Sequence, residues 1–76
     1  MVHAFAMVKT GTGKSETLLS DIRSLESVDD AHIVAGEFDI IVEVDAPEVY
    51  DVFRAVSTGI QKMEGVTDTR TYIGLD

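Results

Sequence analysis

The sequence predicts an α+β fold of order β-α-β-β-α-β, a four-stranded antiparallel sheet with two helices on one face. The main observation is an internal repeat. An offset of 38 residues, half the length of 76, aligns residues 26–30 with residues 64–68 and Ile22 with Ile60. Within each half, the apolar residues change from alternate spacing to helical spacing and back. Each half is therefore predicted to be one strand-helix-strand unit.

The first half opens with a strand over residues 2–9, in which both faces carry apolar side chains. Gly11 and Gly13 interrupt this strand. A helix follows, because apolar residues then recur at helical spacing, namely Leu18, Leu19, Ile22 and Leu25. A second strand is predicted over residues 30–35 and a tight connection over residues 36–39.

The second half opens with a strand over residues 40–44, which forms a hairpin with the strand before it. Asp45 is expected to cap the following helix, with Pro47 in its first turn. One apolar stripe marks this helix, formed by Val49, Val52, Phe53, Val56, Ile60 and Met63. Gly65 is expected to end it, and residues 66–74 form the last strand. The complete order is that of a ferredoxin-like domain.

One face of this sheet has no predicted cover, because right-handed crossovers place both helices on the other face. Two alternating sets of the first strand compete for that bare face, Val2, Ala4, Ala6 and Val8 or His3, Phe5, Met7 and Lys9. Either set leaves a sizeable apolar patch on a small protein with a thin core. A partner sheet is the expected cover, so the chain is predicted to form a homodimer or a larger ring.

The composition excludes several classes of function. Fourteen acidic and six basic residues give a net charge of −8, which repels nucleic-acid phosphates, so no direct DNA or RNA binding is expected. The chain has no cysteine for a disulfide or a thiolate metal site. No membrane span or signal peptide is predicted, so a cytoplasmic location is expected. The acidity is typical of a halophilic protein, with an ordinary acidic protein as the alternative.

Most candidate motifs are interpreted as structural and not as functional sites. Residues 10–15 end like a phosphate-binding loop, but Val8 stands where that motif needs its first glycine, so a flexible turn is predicted. Neither His3 nor His32 has a second metal ligand at useful spacing in the sequence, so no metal or cofactor is expected. Nothing predicts a catalytic residue, and an acylphosphatase mechanism is excluded because the chain has no asparagine.

The turn Gly36-Glu37-Phe38-Asp39 is more informative, because it exposes backbone amides beside an acid. Backbone N–H groups suit a carboxylate and Asp39 suits an ammonium. The turn can therefore hold both ends of a zwitterionic amino acid. A plain hairpin turn is the alternative, since glycine and aspartate are common turn residues.

The same turn with its flanking strands, residues 31–44, resembles the hairpin of the Lrp/AsnC effector-binding (RAM) domain, which has Gly-x-Tyr/Phe-Asp before an apolar strand. Residues 65–73, with Gly-Val and alternating threonines, resemble the last strand of that family, and residues 4–10 its first. The resemblance covers essentially the whole chain. It implies a ligand-binding and oligomerisation domain of a feast/famine regulator, with dimers that form through their sheets and assemble further into rings.

Carried over by position, the resemblance implies an amino acid site between subunits, formed by Gly36, Glu37, Phe38, Asp39, Thr69 and Thr71. The chain begins at the first strand of the effector domain, so it resembles a stand-alone form without the helix-turn-helix. Such a form is expected to assemble with itself or with a relative that bears a helix-turn-helix. The predicted function is thus a regulatory binding module and not an enzyme. The alternative is a small dimeric enzyme of the same fold, such as a cofactor-free monooxygenase.

Overall fold

The strands and helices follow one another in the predicted order. The computed structural model covers residues 1–76. Its elements are β1 (Val2–Thr10), α1 (Ser15–Arg23), β2 (Val28–Ile33), β3 (Ile40–Ala46), α2 (Val49–Arg54), a π-helical continuation of α2 (Ala55–Ile60) and β4 (Val66–Ile73). The predicted ferredoxin-like α+β fold is therefore confirmed. None of the helices is long and apolar enough to cross a lipid bilayer.

The four strands form one antiparallel sheet in the order β2-β3-β1-β4. The first strand of each half lies at the centre, and the second strand of each half lies at an edge. Phe5 of β1 stands directly opposite Glu43 of β3. Phe5 and Glu43 are 38 residues apart, which is the offset of the internal repeat, so they occupy equivalent positions in the two halves. The sheet is thus built from two similar halves related by an approximate twofold axis at this pair.

The core lies between the sheet and the two helices, which pack on the same face. Thirteen residues are buried, and all of them are hydrophobic. The sheet contributes Ala4, Ala6, Val8, Ala31, Ile40, Val42, Val44 and Ala46. The helices contribute Leu18, Ile22, Val52, Val56 and Ile60. The valine and alanine set of β1 is therefore the covered one.

The opposite face of the sheet, called the open face below, has no cover within the chain. It carries Asp30 and His32 of β2, Ile41, Glu43 and Asp45 of β3, His3, Phe5, Met7 and Lys9 of β1, and Asp68, Arg70 and Tyr72 of β4. Phe5 is 38% and Tyr72 59% exposed. The bare apolar patch is thus the set with Phe5 and Met7, and charged residues surround it.

The expected cap of the second helix is wrong. β3 continues through Ala46, because its pairing with β1 extends to the Val2–Ala46 pair. Asp45 is therefore a strand residue, and its carboxylate binds the imidazole of His3 instead of a helix N–H group. Glu48 occupies the N-cap position, and its side chain makes no capping hydrogen bond.

The expected end of that helix is also corrected. The π-helical segment ends at Ile60, where the Gln61 N–H donates to the Val56 carbonyl at 2.8 Å. Gly65 comes later and turns the chain into β4 with a φ of 101°, a conformation that favours glycine. β2 lies two residues earlier than expected, because Val28 already pairs with Val44.

The glycine-containing turn before α1 is held by a hydrogen bond between its two ends. Gly13 has a φ of 76°, and the hydroxyls of Thr10 and Ser15 are hydrogen-bonded at 2.8 Å. The strand before it is antiparallel to both of its neighbours. A phosphate-binding loop instead follows a strand of a parallel sheet, so this turn differs from one in topology as well as in sequence.

Candidate functional site

The connection between β2 and β3 is tied to the end of β1 by Asp39. Its backbone N–H donates to the Val8 carbonyl at 2.9 Å, and its carbonyl accepts the Val34 N–H at 2.9 Å. One carboxylate oxygen, Oδ2, accepts the Thr10 N–H at 2.8 Å. Asp39 therefore shapes the connection, and its other carboxylate oxygen, Oδ1, makes no hydrogen bond within the chain.

The remaining residues of the connection are more accessible. Gly36 and Glu37 are exposed, and a side chain at Gly36 would meet open space. Phe38 is half-buried, and the Lys9 ammonium lies 6.0 Å from the centre of its ring. That contact is a cation–π interaction. It places a positive charge beside the connection, on the side of the open face.

Thr69 and Thr71 lie elsewhere, on the helix side of the edge strand β4. They line a cavity of about 310 Å³ between β4 and the second helix. The other lining residues are mostly apolar, namely Val49, Val52, Phe53, Val56, Ser57, Gln61 and Ile73. The Thr69 hydroxyl accepts a hydrogen bond from the Gln61 amide at 2.7 Å. The cavity thus combines an apolar wall with a few hydroxyl and amide groups, as small-molecule sites do.

The six predicted site residues do not meet in one pocket of a single chain. Val8 of β1 pairs with Ile40 on one side and with Thr69 on the other, so β1 stands between the connection and the two threonines. No residue of the connection lines the cavity that contains Thr69 and Thr71. A site that uses all six residues therefore needs a second chain.

A group of charged side chains occupies one end of the open face. The Nδ1 atom of His3 lies 2.5 Å from Asp45 Oδ1, and its Nε2 atom lies 3.7 Å from Glu43 Oε1. The hydrogen bond to Asp45 and the negative charges of Asp45, Glu43 and Asp29 raise the pKa of His3 above 6.5, against the opposing effect of burial. These contacts therefore favour the protonated form of His3.

The second histidine, His32, lies in a different cluster of side chains, which was not predicted from the sequence. His32 Nε2 lies 3.2 Å from Asp30 Oδ2, and Asp30 stands opposite Glu43 in the β2–β3 pair. The three side chains each bring one ligand atom to within 4.8 Å of the others. Linear spacing could not reveal this cluster, because Glu43 comes from the neighbouring strand. The hairpin register was the only available signal.

Comparison with known proteins identifies a family whose sequence profile covers nearly the whole chain. The sequence profile of the Lrp/AsnC ligand binding domain matches residues 3–76. The leucine-responsive regulatory protein of Haemophilus influenzae is 29% identical over 55 residues, which are 72% of this chain and 33% of that protein. The chain thus spans about a third of the length of this curated relative.

Solved structures of similar size also match. The crystal structure of FFRP-DM1 is 31% identical, with a TM-score of 0.93, and the match covers 99% of this chain and 100% of that one. The crystal structure of TTHA0845 from Thermus thermophilus is 26% identical, with a TM-score of 0.96, over 100% of this chain and 95% of that one. The backbone arrangement described above therefore occurs in other chains of about this length.

Proposed function

The chain belongs to the family of Lrp/AsnC ligand binding domains, and we propose that it binds an amino acid as the effector module of a feast/famine-type transcriptional regulator. The observation that carries the proposal is the cavity of about 310 Å³ beside Thr69 and Thr71. Its apolar wall suits an aliphatic or thioether side chain, and its size matches a small molecule. The name of the leucine-responsive relative supports an effector of this class.

The polar ends of the amino acid need a second group of residues. Asp39 supplies a carboxylate for the ammonium, and the backbone at Gly36 and Glu37 supplies N–H groups for the ligand carboxylate. Because β1 separates this connection from the cavity, we place the connection of one copy against the cavity of another. Binding between copies excludes water from both ends of the ligand, which strengthens these polar contacts.

Assembly follows from the same proposal. Phe5, Met7, Ile41 and Tyr72 give the open face an apolar stripe, which a second sheet covers in a homodimer. The second helix exposes Val49, Tyr50 and Phe53, which are 54%, 65% and 62% accessible. These residues suit contacts between dimers, so that a ring of dimers completes the amino acid sites. A relative that bears a helix-turn-helix is the proposed link to DNA.

The alternative of a cofactor-free monooxygenase is not favoured. All thirteen buried residues are hydrophobic, so the interior offers no polar group to hold or move a proton. The family match is to a ligand binding domain. A regulatory role without catalysis is therefore the better proposal.

Calorimetric titration with the twenty amino acids tests the proposal directly. We expect leucine, methionine or another apolar amino acid to bind and charged ones to bind more weakly. Asp39→Asn should weaken that binding by about tenfold or more, because the ammonium loses a partner worth about 1–3 kcal/mol. Asparagine keeps an acceptor for the Thr10 N–H, so the connection itself should stay intact. Glu16→Gln, the same loss of charge on exposed α1, is the matched control.

A second pair of variants tests the cavity. Thr71→Val keeps the size of the side chain and removes its hydroxyl, whereas Thr67→Val makes the same change on β4 outside the cavity. We expect weaker binding only for Thr71→Val, with the oligomer mass unchanged by light scattering. The proposal fails if no amino acid binds the unmodified protein, or if Asp39→Asn and Thr71→Val both bind as tightly as it does.

A further inference from the structure

The cluster of Asp30, His32 and Glu43 brings three metal-ligating side chains to one place on the open face. Asp30 and His32 alternate along β2, and Glu43 stands opposite Asp30 on β3. The ligand atoms lie within 4.8 Å of one another, and the closest pair, His32 Nε2 and Asp30 Oδ2, is 3.2 Å apart. Ligands bound to one ion at about 2.0–2.2 Å lie roughly 3–3.5 Å apart, so small side-chain rotations complete the geometry.

Within the chain, the two carboxylates of this cluster have only histidines as ion-pair partners. Two carboxylates face each other across adjacent strands, an arrangement that is unfavourable without a cation. No lysine or arginine forms an ion pair with either of them, and all ion pairs of the chain involve a histidine. The Nδ1 atom of His3 is hydrogen-bonded to Asp45, and its Nε2 atom lies 3.7 Å from Glu43 Oε1, so His32 supplies the imidazole of the cluster. A divalent cation would satisfy both carboxylates at once.

The donor set indicates which kind of ion fits. Magnesium and calcium prefer sites made of oxygen alone, whereas one imidazole nitrogen with two carboxylates suits zinc and similar transition ions. Three protein ligands leave one position open in a tetrahedral zinc site. A water molecule or a group from a second copy can take it, because the cluster lies on the accessible face of the sheet.

We propose that Asp30, His32 and Glu43 form a binding site for one zinc-class divalent ion per chain. The inference rests on the geometry of a single chain and does not depend on amino acid binding. It replaces the expectation from sequence that neither histidine has metal-ligating neighbours.

Calorimetric titration of the untagged protein with zinc chloride, in a buffer that does not chelate zinc, tests the proposal. We expect saturable binding of one ion per chain, with native mass spectrometry giving the same stoichiometry. His32→Gln and Glu43→Gln should each weaken zinc binding by about tenfold or more. Asp68→Asn is the matched control, because it removes the charge of another open-face carboxylate that lies outside the cluster. Circular dichroism checks that every variant is folded.

Two further measurements separate a built site from general attraction to an acidic surface. Magnesium at the same concentration should not displace zinc, whereas surface attraction would respond to both ions equally. Raising potassium chloride from 0.1 M to 1 M should weaken zinc binding to a built site far less than it weakens general attraction to an acidic surface, which salt screens. The proposal is overturned if zinc does not bind saturably, if His32→Gln and Glu43→Gln bind as the unmodified protein does, if Asp68→Asn weakens binding as much as they do, or if magnesium competes as well as zinc.

Discussion

The covered face and the open face are made from alternate residues of the same four strands, and they have opposite compositions. On the covered face, every buried residue is hydrophobic. On the open face, the apolar residues Phe5, Met7 and Ile41 lie among histidines, carboxylates, a lysine and an arginine. Adjacent residues of a strand thus lie on different faces, one in the core and the next on the face without a cover. A substitution on the covered face should therefore lower the stability of the fold, whereas one on the open face should change the association that we propose.

The largest difference is expected between Ile40→Ala and Ile41→Ala. The two residues are neighbours in β3, but Ile40 is fully buried in the core and Ile41 is half-buried on the open face. Removing a buried isoleucine side chain to alanine costs about 2–5 kcal/mol, so Ile40→Ala should lower the free energy of unfolding by that amount. Ile41→Ala should cost much less when both are measured by urea unfolding of the dilute protein. Equal losses would show that the two faces are equally packed.

The next effect concerns association. Met7→Asp places a charge in the apolar stripe of the open face, where we propose that two copies meet. The dimer dissociation constant should rise by at least about tenfold, equivalent to roughly 1.4 kcal/mol. Analytical ultracentrifugation over a range of concentrations measures it, with Thr12→Asp, on the exposed turn before α1, as the control. A monomeric unmodified protein at micromolar concentration, or a variant dimer of unchanged affinity, would contradict the use of this face.

A change in salt concentration should have a smaller effect, which acts on association through the open face and not on the packing of the core. Each copy carries a net charge of −8, so two copies repel each other at low ionic strength. Raising potassium chloride from 0.1 M to 1 M shortens the screening length from ~10 Å to ~3 Å and should strengthen the dimer. The stability difference between Ile40→Ala and the unmodified protein should stay constant over that range, because it reflects apolar burial. A dimer that is insensitive to salt would also remove the halophilic interpretation.

The smallest expected effect is the titration of His3. In the folded state its hydrogen bond to Asp45 and the neighbouring charges raise its pKa above 6.5. The protonated form therefore stabilises the fold below pH 6.5, and this contribution is lost as the pH rises through the raised pKa. NMR titration of the imidazole should show the raised pKa, and Asp45→Asn should lower it, whereas Asp68→Asn should not. A His3 pKa that is the same in the unmodified protein and in Asp45→Asn would contradict this assignment.

The fold was largely predictable from sequence, because the repeat and the change of periodicity act along the chain. The faces of β1 could not be assigned, since Val8 and Met7 are both apolar, and only the packing of Ile22 and Ile60 on the Val8 side decided between them. Asp45 was misplaced because an aspartate before a proline-containing turn suits a helix cap, whereas the pairing of β3 with β1 kept it in the strand.

The candidate site was less predictable, because the distances between its residues depend on the order of the strands in the sheet. The sequence resemblance named Asp39 and Thr71, but it could not show that β1 lies between them in a single chain. The cluster around His32 was missed for a related reason. Its third member, Glu43, is set by the pairing of β2 with β3 and not by spacing along the chain.

The strand order also has a consequence for how the chain folds. No two strands of the same half are hydrogen-bonded to each other, because each strand pair, β1–β3, β1–β4 and β2–β3, joins one half to the other. Neither half can therefore form a sheet alone. The β2–β3 pair is a local hairpin, whereas the β1–β3 and β1–β4 pairs join parts of the chain that lie far apart in sequence. Such non-local pairing slows folding and favours all-or-none unfolding. It also means that half of one molecule can be exchanged for the same half of another without the loss of any strand pair, so concentrated refolding should yield intertwined dimers.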